Sequence, residues 1–141
     1  MWKAAFLPDG AQIVTASDDR TARIWDAATG REISALRGLE PEVRSAAFSR
    51  DGAQIVTASS DCTARIWDAA AGREITTLRG HERAFNGAAF SPDAAHIVTA
   101  SDDHSARIWD TATWREITRL RGHEDEVLTA VFSRDGAQIV P

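Results

Sequence analysis

The chain repeats itself with a period of 42 residues, and this repetition constrains its fold more than any other feature of the sequence. Residues 10–38 match residues 52–80 at 24 of 29 positions, and residues 94–122 match 52–80 at 20 of 29. A period between about 20 and 50 residues is typical of chains built from stacked supersecondary units. The sequence therefore predicts near-identical units that each contact their neighbours, rather than one irregular domain.

Each unit is predicted to form four short β-strands. In the second unit, turn residues separate four segments, which are 46–49, 54–59, 63–68 and 73–79. Residues 54–59 alternate and are rich in β-branched side chains, which favours a strand. Alanine is abundant and favours helices, but no segment between turns reaches the roughly 10 to 12 residues of an ordinary helix. We therefore predict an all-β chain of four-stranded antiparallel sheets.

Composition and charge exclude several classes of protein. A hydrophobic share of 43% and a charged share of 26% fit neither a disordered tail nor a membrane protein. The net charge of −5 disfavours a nucleic-acid partner, because a protein that binds nucleic acid needs a basic surface to contact the phosphates. The apolar run 2–7 stops at Pro8, too soon for a signal peptide or a membrane span. A single cysteine, Cys62, predicts no internal disulfide and a reducing compartment such as the cytoplasm.

The repeated unit resembles the WD40 repeat of β-propellers. Three Ile-Trp-Asp tripeptides stand in register, with tryptophans at Trp25, Trp67 and Trp109, and Gly80-His81 forms the Gly-His pair that precedes the third. Known members fold each repeat into a four-stranded blade and pack the blades around a central channel. The resemblance implies an incomplete arc of 3.5 blades. Its expected boundaries are about 2–38, 43–80 and 84–122 for the whole blades and 126–141 for the half blade.

The resemblance also implies a buried hydrogen-bonded set of four side chains in the third blade. It comprises the histidine before the first strand, a hydroxyl of the second strand, the aspartate of the next turn and the tryptophan of the third strand. These positions are His81, Thr99, Asp103 and Trp109. Ser101 lies on the same face as Thr99, so either residue could supply the hydroxyl, and we favour Thr99. A buried carboxylate needs donors and an indole N–H needs an acceptor, which explains these residue types.

The first two blades keep only part of this set. Leu39 stands at the histidine position of the second blade, and the histidine position of the first blade precedes residue 1. The retained residues are Thr57, Asp61 and Trp67 in the second blade and Thr15, Asp19 and Trp25 in the first.

The positions that vary between units predict a partner-binding rim. In the WD40 family, residues at the start of the first strand and before the turn aspartate lie on one rim and commonly contact partners. The corresponding residues here are Trp2, Asp18, Glu42, Arg44, Ser60, Ala84, Asn86, Asp102, Glu126 and Leu128. A rigid scaffold that presents variable loops suits recognition. The alternative is that these positions vary because nothing restrains them.

Three functions are open at this point. The first is a non-catalytic scaffold for protein partners whose identity is unknown. The second is an enzyme, but the sequence has no phosphate-binding loop, zinc-protease motif or cysteine pair, so we predict no catalytic residues, metal ligands or cofactor. The third is a truncated fragment of a larger WD40 protein, effector or regulatory, without independent function.

An open arc of blades is expected to expose one apolar sheet face at each end. Six to eight wet apolar side chains on such a face would forfeit on the order of 10–20 kcal/mol. We therefore expect a fragment of a longer propeller or a chain that self-associates through the open faces. Two chains would place eight innermost strands around one ring.

One residue departs from its repeat position. Trp114 stands where the other units have Gly30 and Gly72, which are expected to adopt positive φ. A bulky residue there would strain the backbone or force another loop shape. We predict that Trp114→Gly raises stability.

Overall fold

The computed structural model describes residues 3–7, 9–17, 19–36 and 43–140. These residues form fourteen β-strands and no helix, so the predicted all-β class is confirmed. No helix in these ranges is therefore long and apolar enough to cross a membrane. The strands are β1 Lys3–Phe6, β2 Gln12–Ala16, β3 Ala22–Asp26, β4 Glu32–Leu36, β5 Val43–Phe48, β6 Gln54–Ser59, β7 Thr63–Asp68, β8 Arg73–Arg79, β9 Phe85–Phe90, β10 His96–Ser101, β11 Ala106–Asp110, β12 Glu116–Leu120, β13 Val131–Phe132 and β14 Ile139–Val140.

The strands form three four-stranded antiparallel sheets and one hairpin. Strands β1–β4, β5–β8 and β9–β12 form the first, second and third sheet, each with its strands in chain order, and β13 pairs with β14. The innermost strands β1, β5, β9 and β13 are neighbours in space. The sheets therefore stand side by side along their innermost strands, as the blades of a partial propeller do.

The strand boundaries follow the sequence closely except at the innermost strand. Strands β6, β7 and β8 span the predicted segments, whereas β5 begins at Val43, three residues earlier than predicted, and ends at Phe48. A register shift between Val43 and Ser45 opposite β6 lets the pairing continue past the predicted start. Such a bulge adds a residue to one strand and bends it. Ser49 falls in the following turn, where its carbonyl accepts a hydrogen bond from Gly52 N–H at 2.9 Å.

Three apolar layers fill the spaces between successive sheets. The first two layers combine aliphatic side chains from one sheet with the Ile and Trp positions of the next sheet. Between the first and second sheets the main side chains are Val14, Ile24, Leu36, Phe48, Ile55 and Trp67. Between the second and third sheets they are Val56, Ile66, Leu78, Phe85, Ile97 and Trp109. The third layer, formed with the β13–β14 hairpin, contains Val98, Ala100, Ala106, Val127 and Ala130.

Both ends of the arc present a face that is less well covered. Trp25 of the first sheet is half-buried, whereas Trp67 and Trp109 are each only 3% exposed. At the other end, Leu120 of the third sheet is 36% exposed, whereas the equivalent Leu78 is 1% exposed. The difference arises because Trp67 and Trp109 each face the preceding sheet, while Leu120 faces only a two-stranded hairpin.

Trp114 adopts the conformation of the glycines that it replaces. Its φ is +59°, close to the +72° of Gly30 and the +68° of Gly72. Its N–H donates to Asp110 O at 2.7 Å, the same hydrogen bond that the two glycines make. The loop therefore keeps its shape and the backbone carries the strain. Trp114 also packs against the layer between the second and third sheets, a contact that the repeat pattern did not reveal.

Candidate functional site

The structure brings together the four predicted side chains of the third sheet. His81 precedes β9, Thr99 lies in β10, Asp103 in the next turn and Trp109 in β11. His81 Nδ1 lies 2.8 Å from Asp103 Oδ2 and His81 Nε2 lies 2.8 Å from Thr99 Oγ1. The Trp109 indole N–H donates to Thr99 Oγ1 at 3.0 Å. Thr99 therefore supplies the hydroxyl, while Ser101 Oγ donates to Ala84 O at 2.9 Å.

These contacts fix the direction of every proton in the set. Asp103 is an acceptor when ionised, so His81 Nδ1–H must donate to it, which leaves Nε2 as an acceptor for the Thr99 hydroxyl. The same hydroxyl oxygen accepts from Trp109. Each of these buried polar atoms therefore has a hydrogen-bond partner, and the neutral form of the His81 imidazole is the one that these hydrogen bonds require.

Electrostatics agree with a neutral histidine beside an ionised carboxylate. Burial lowers the pKa of His81 below its ordinary 6.5, although the hydrogen bond to Asp103 opposes the shift. Burial alone would raise the pKa of Asp103, but hydrogen bonds from Ser105, His81 and the Glu82 N–H lower it to about 2. At neutral pH the pair therefore holds a single charge, on Asp103.

The first two sheets repeat the tryptophan–threonine contact. Trp25 and Trp67 each donate an indole N–H at 3.0 Å to the threonine hydroxyl of the neighbouring strand, which belongs to Thr15 and Thr57. The contact recurs because the strand register places the same two positions together in each sheet.

The turn aspartates of these sheets repeat two contacts of Asp103, which accepts hydrogen bonds from Ser105 and lies 3.7 Å from Arg107 Nη2. Asp19 accepts from the backbone and side chain of Thr21 and lies 3.4 Å from Arg23 Nη2. Asp61 likewise accepts from Thr63 and lies 3.5 Å from Arg65 Nη2. An arginine of the third strand therefore takes part in neutralising these carboxylates. The histidine position of the second sheet, Leu39, lies outside the described residues.

The buried set is unsuited to chemistry on a substrate. A histidine between a carboxylate and a hydroxyl is the arrangement of a nucleophilic triad, in which the hydroxyl must reach the substrate. Thr99 is fully buried and His81 is 5% exposed, and the hydroxyl is already bonded to Trp109. The arrangement therefore cross-links the segment before β9 to β10, the following turn and β11. Within the described ranges, no group of three or more His, Cys, Asp or Glu side chains is placed to hold a metal ion.

Three residues of the predicted rim form one hydrogen-bonded network. Arg44 Nη1 donates to Asn86 Oδ1 at 2.6 Å and lies 3.2 Å from Asp102 Oδ2. Asn86 Nδ2 donates to Asp102 Oδ1 at 2.6 Å and to Val127 O at 3.1 Å. The network joins the second sheet, the third sheet and the segment before β13, so these polar positions hold neighbouring sheets together.

The other described rim residues differ in exposure. Ser60 and Ala84 are half-buried, Glu126 is exposed and Leu128 is 65% exposed. Leu128 occupies the position of Arg44 and Asn86 in the preceding units and lies beside a hollow of about 220 Å³. The remaining predicted rim residues, Trp2, Asp18 and Glu42, lie outside the described residues.

A groove at the other end of the innermost strands was missed by the sequence analysis. It has a volume of about 590 Å³ and contains the ends of β5, β9 and β13, with Phe90, Phe132, Arg50 and Arg134 in its walls. The lining residues come from three different units, and each looks like a core or turn residue by itself. The sequence feature that could have indicated this groove is Arg50, because the third unit has Pro92 at the same position.

Comparison with known families gives one result. The family model described as "WD domain, G-beta repeat" matches residues 1–26, 30–68 and 72–110, which is more than half of the chain. Each match ends at the aspartate of an Ile-Trp-Asp tripeptide. A search of curated proteins finds no match.

Proposed function

Because the chain belongs to the WD40-repeat family, whose domains generally serve as protein-interaction scaffolds, we propose that it binds a protein partner through one rim without catalysing a reaction. This rim comprises the seven predicted rim residues that the structure describes, which are Arg44, Ser60, Ala84, Asn86, Asp102, Glu126 and Leu128. We call this surface the partner rim. Fold alone does not establish function, so the proposal depends on the character of this surface.

The observation that carries the proposal is the exposure of Leu128. An apolar side chain that is 65% exposed has lost most of the benefit of burial, and its repeat position holds polar residues in the preceding units. The hollow beside it, lined also by His123 and Val127, gives room for a partner side chain. Interface energy concentrates in a few side chains that are packed into pockets on binding, and Leu128 beside this hollow is placed to be one of them.

The surroundings of Leu128 support a specific kind of partner. The segment before it carries exposed acidic side chains at Glu124, Asp125 and Glu126. Charge complementarity favours a partner with an apolar side chain flanked by basic residues. The Arg44–Asn86–Asp102 network holds the platform rigid, which reduces the entropy lost on binding.

Affinity purification of the protein from cells that express it tests this proposal. We expect Leu128→Asp to remove at least one co-purifying protein, because a carboxylate cannot replace the apolar anchor. The matched control is Ile33→Asp, since Ile33 is 51% exposed on the outermost strand β4, away from the partner rim. If Leu128→Asp removes no protein that Ile33→Asp retains, the partner rim is not the binding surface.

Self-association is a second candidate, favoured by the two partly covered end faces. Trp25 at one end and Leu120 at the other are more exposed than their equivalents inside the arc. Packing of these faces between two copies would bury them. Sedimentation equilibrium at micromolar concentration should give a mass above the 15.3 kDa of one chain. A folded 15.3-kDa monomer would exclude self-association and favour the alternative that these residues act as part of a larger WD40 protein.

A further inference from the structure

The groove of about 590 Å³ lies at the opposite end of the innermost strands from the partner rim. Leu128 and its equivalents stand before or at the start of these strands, whereas the groove contains Phe90, Phe132 and the turns that follow them. Its volume falls within the roughly 300–1,000 Å³ of sites that bury small ligands or peptide side chains. We call it the arginine groove.

The floor of the arginine groove is apolar. Phe90 and Phe132 are half-buried, so part of each ring is accessible, and Val131 is 43% exposed. The rings are held in place because they also pack against the layers between the sheets. Such a floor suits one large aliphatic or aromatic side chain of a ligand.

The walls carry two exposed arginines that the turns do not require. Arg50 and Arg134 occupy the second position of turns whose backbone hydrogen bonds are made by Ser49 with Gly52 and by Ser133 with Gly136. Proline is favoured at this position, and the third unit has Pro92 there. The arginine side chains therefore add charge to the groove without shaping the turn.

Neither arginine has an acidic partner among the described residues. No carboxylate there lies within 4.0 Å of the guanidinium of Arg50 or Arg134. The nearest acidic residues in the chain, Asp51 and Asp135, accept hydrogen bonds from their own turns and do not line the groove. The lining thus holds two cations and no anion, in a chain of net charge −5.

We propose that the arginine groove binds an acidic peptide segment of a partner protein. One large apolar side chain of the segment packs on Phe90 and Phe132, and carboxylates on either side of it pair with Arg50 and Arg134. Charged hydrogen bonds between guanidinium and carboxylate are stronger than neutral ones and set the orientation of the peptide. This site is separate from the partner rim and does not rest on its function.

Fluorescence anisotropy with two labelled peptides tests the site. The probes are a decapeptide of alternating glutamate and leucine and its counterpart of alternating lysine and leucine. We expect the glutamate peptide to bind at least about tenfold more tightly, and the difference to shrink at high salt. Equal affinity for the two peptides would overturn the proposal.

Charge reversal at the groove locates the binding. Arg50→Glu and Arg134→Glu should each weaken the glutamate peptide by about tenfold, since each replaces an attraction with a repulsion. Arg73→Glu is the matched control, because Arg73 is also exposed but lies on the outermost strand β8. All three positions are exposed, so circular dichroism should show an unchanged fold. An equal loss of affinity in Arg73→Glu and Arg50→Glu would show that binding depends on the net charge of the protein rather than on the arginine groove, and would overturn the proposal.

Two further measurements distinguish the arginine groove from the partner rim and from a contact between two copies of the chain. Leu128→Asp should leave peptide affinity unchanged, so failure of the partner rim does not affect the arginine groove. If instead Arg50→Glu converts a self-associated form into a monomer during sedimentation, the occupant is a second copy of the chain. That result would overturn the assignment to a partner peptide.

Discussion

At the residue scale, His81 shows how a polar group can be buried without a charge of its own. Its ring donates to Asp103 and accepts from Thr99, and it packs edge-to-face with the ring of Phe85, the centroids 4.5 Å apart. Burial favours the neutral form and lowers the pKa of His81, so protonation must oppose the folded state. Stability and pH are therefore linked through this one side chain.

The linkage predicts a loss of stability in mild acid. Because the pKa of His81 is lower in the folded chain than its ordinary 6.5, the unfolded chain binds the proton more readily, so the free energy of unfolding falls as the pH drops from 7 to 5. The slope reaches at most about 1.4 kcal/mol per pH unit. Asp103 does not contribute in this range, because its pKa is about 2 and it stays ionised in both states. Urea unfolding across this range should show a flatter profile for His81→Gln, and parallel profiles would disprove the linkage.

Trp114 yields a prediction that separates strain from packing. Trp114→Ala removes the ring but keeps a side chain at positive φ, whereas Trp114→Gly removes both. The glycine variant should therefore be more stable than the alanine variant by about 1 kcal/mol. Thermal unfolding of the pair measures this difference, and equal melting temperatures would show that the loop is unstrained. Trp114 also packs against the layer between the second and third sheets. Loss of this contact opposes the gain in stability over the natural chain that the repeat pattern predicts for Trp114→Gly.

Residue contacts could be predicted where the repeat fixes them, but not where they cross between units. The pairing of Trp109 with Thr99 follows from strand register, which the sequence pattern specifies. The sequence favours Thr99 over Ser101 without deciding between them, because both lie on one face, and the contacts of His81 and Trp109 decide for Thr99. The contact of Arg44 with Asn86 spans 42 residues and depends on how two sheets approach each other, which no local pattern encodes.

At the element scale, the strands derive their stability from the next sheet rather than from their own propensity. Leu78 of β8 is covered because Trp109 and Phe85 of the third sheet belong to the same layer. Leu120 of β12 holds the same position in its own sheet but faces the short β13–β14 hairpin, and it is 36% exposed. The same residue type therefore serves two different environments.

This contrast predicts unequal costs for one substitution. Leu78→Ala should lower the free energy of unfolding by about 2–5 kcal/mol, the usual cost of truncating a buried leucine. Leu120→Ala should cost less than about 1.5 kcal/mol, since part of its side chain is already in water. Urea denaturation of both variants gives the comparison. Equal costs would mean that the third sheet is covered by something other than the hairpin.

The elements themselves were largely predictable because turn residues mark their ends. Strands β6 to β8 match their predicted spans, since each is bounded by short polar or glycine-containing turns. The start of β5 could not be predicted, because the bulge between Val43 and Ser45 depends on how β6 continues opposite it. Bulges respond to pairing geometry more than to local sequence.

At the scale of the whole molecule, stability should grade along the arc. The second sheet has a neighbour on both faces, and its strand β6 is almost entirely buried, whereas β2 of the first sheet is only partly buried. In repeat proteins, a unit is stabilised mainly by the interfaces with its neighbours. Units with one interface are therefore expected to open more readily than units with two.

Amide hydrogen exchange should reveal this gradient. We predict the slowest exchange in β6 and β10, which have similar burial, and faster exchange in β2 and β14. The measurement is native-state exchange followed by NMR. Equal protection of β2 and β6 would mean that the end sheets are covered in solution, as self-association would cover them.

The most direct test of the stacked-sheet arrangement is a nuclear Overhauser experiment on methyl-labelled protein. The layer between the second and third sheets places Trp109 in one cluster with Ile66 and Leu78. We predict cross-peaks from the Trp109 indole protons to the methyl groups of both residues, in addition to those from its strand partner Ile97. Cross-peaks confined to Ile97 and the rest of the third sheet would show that the sheets do not cover one another, which would contradict the account.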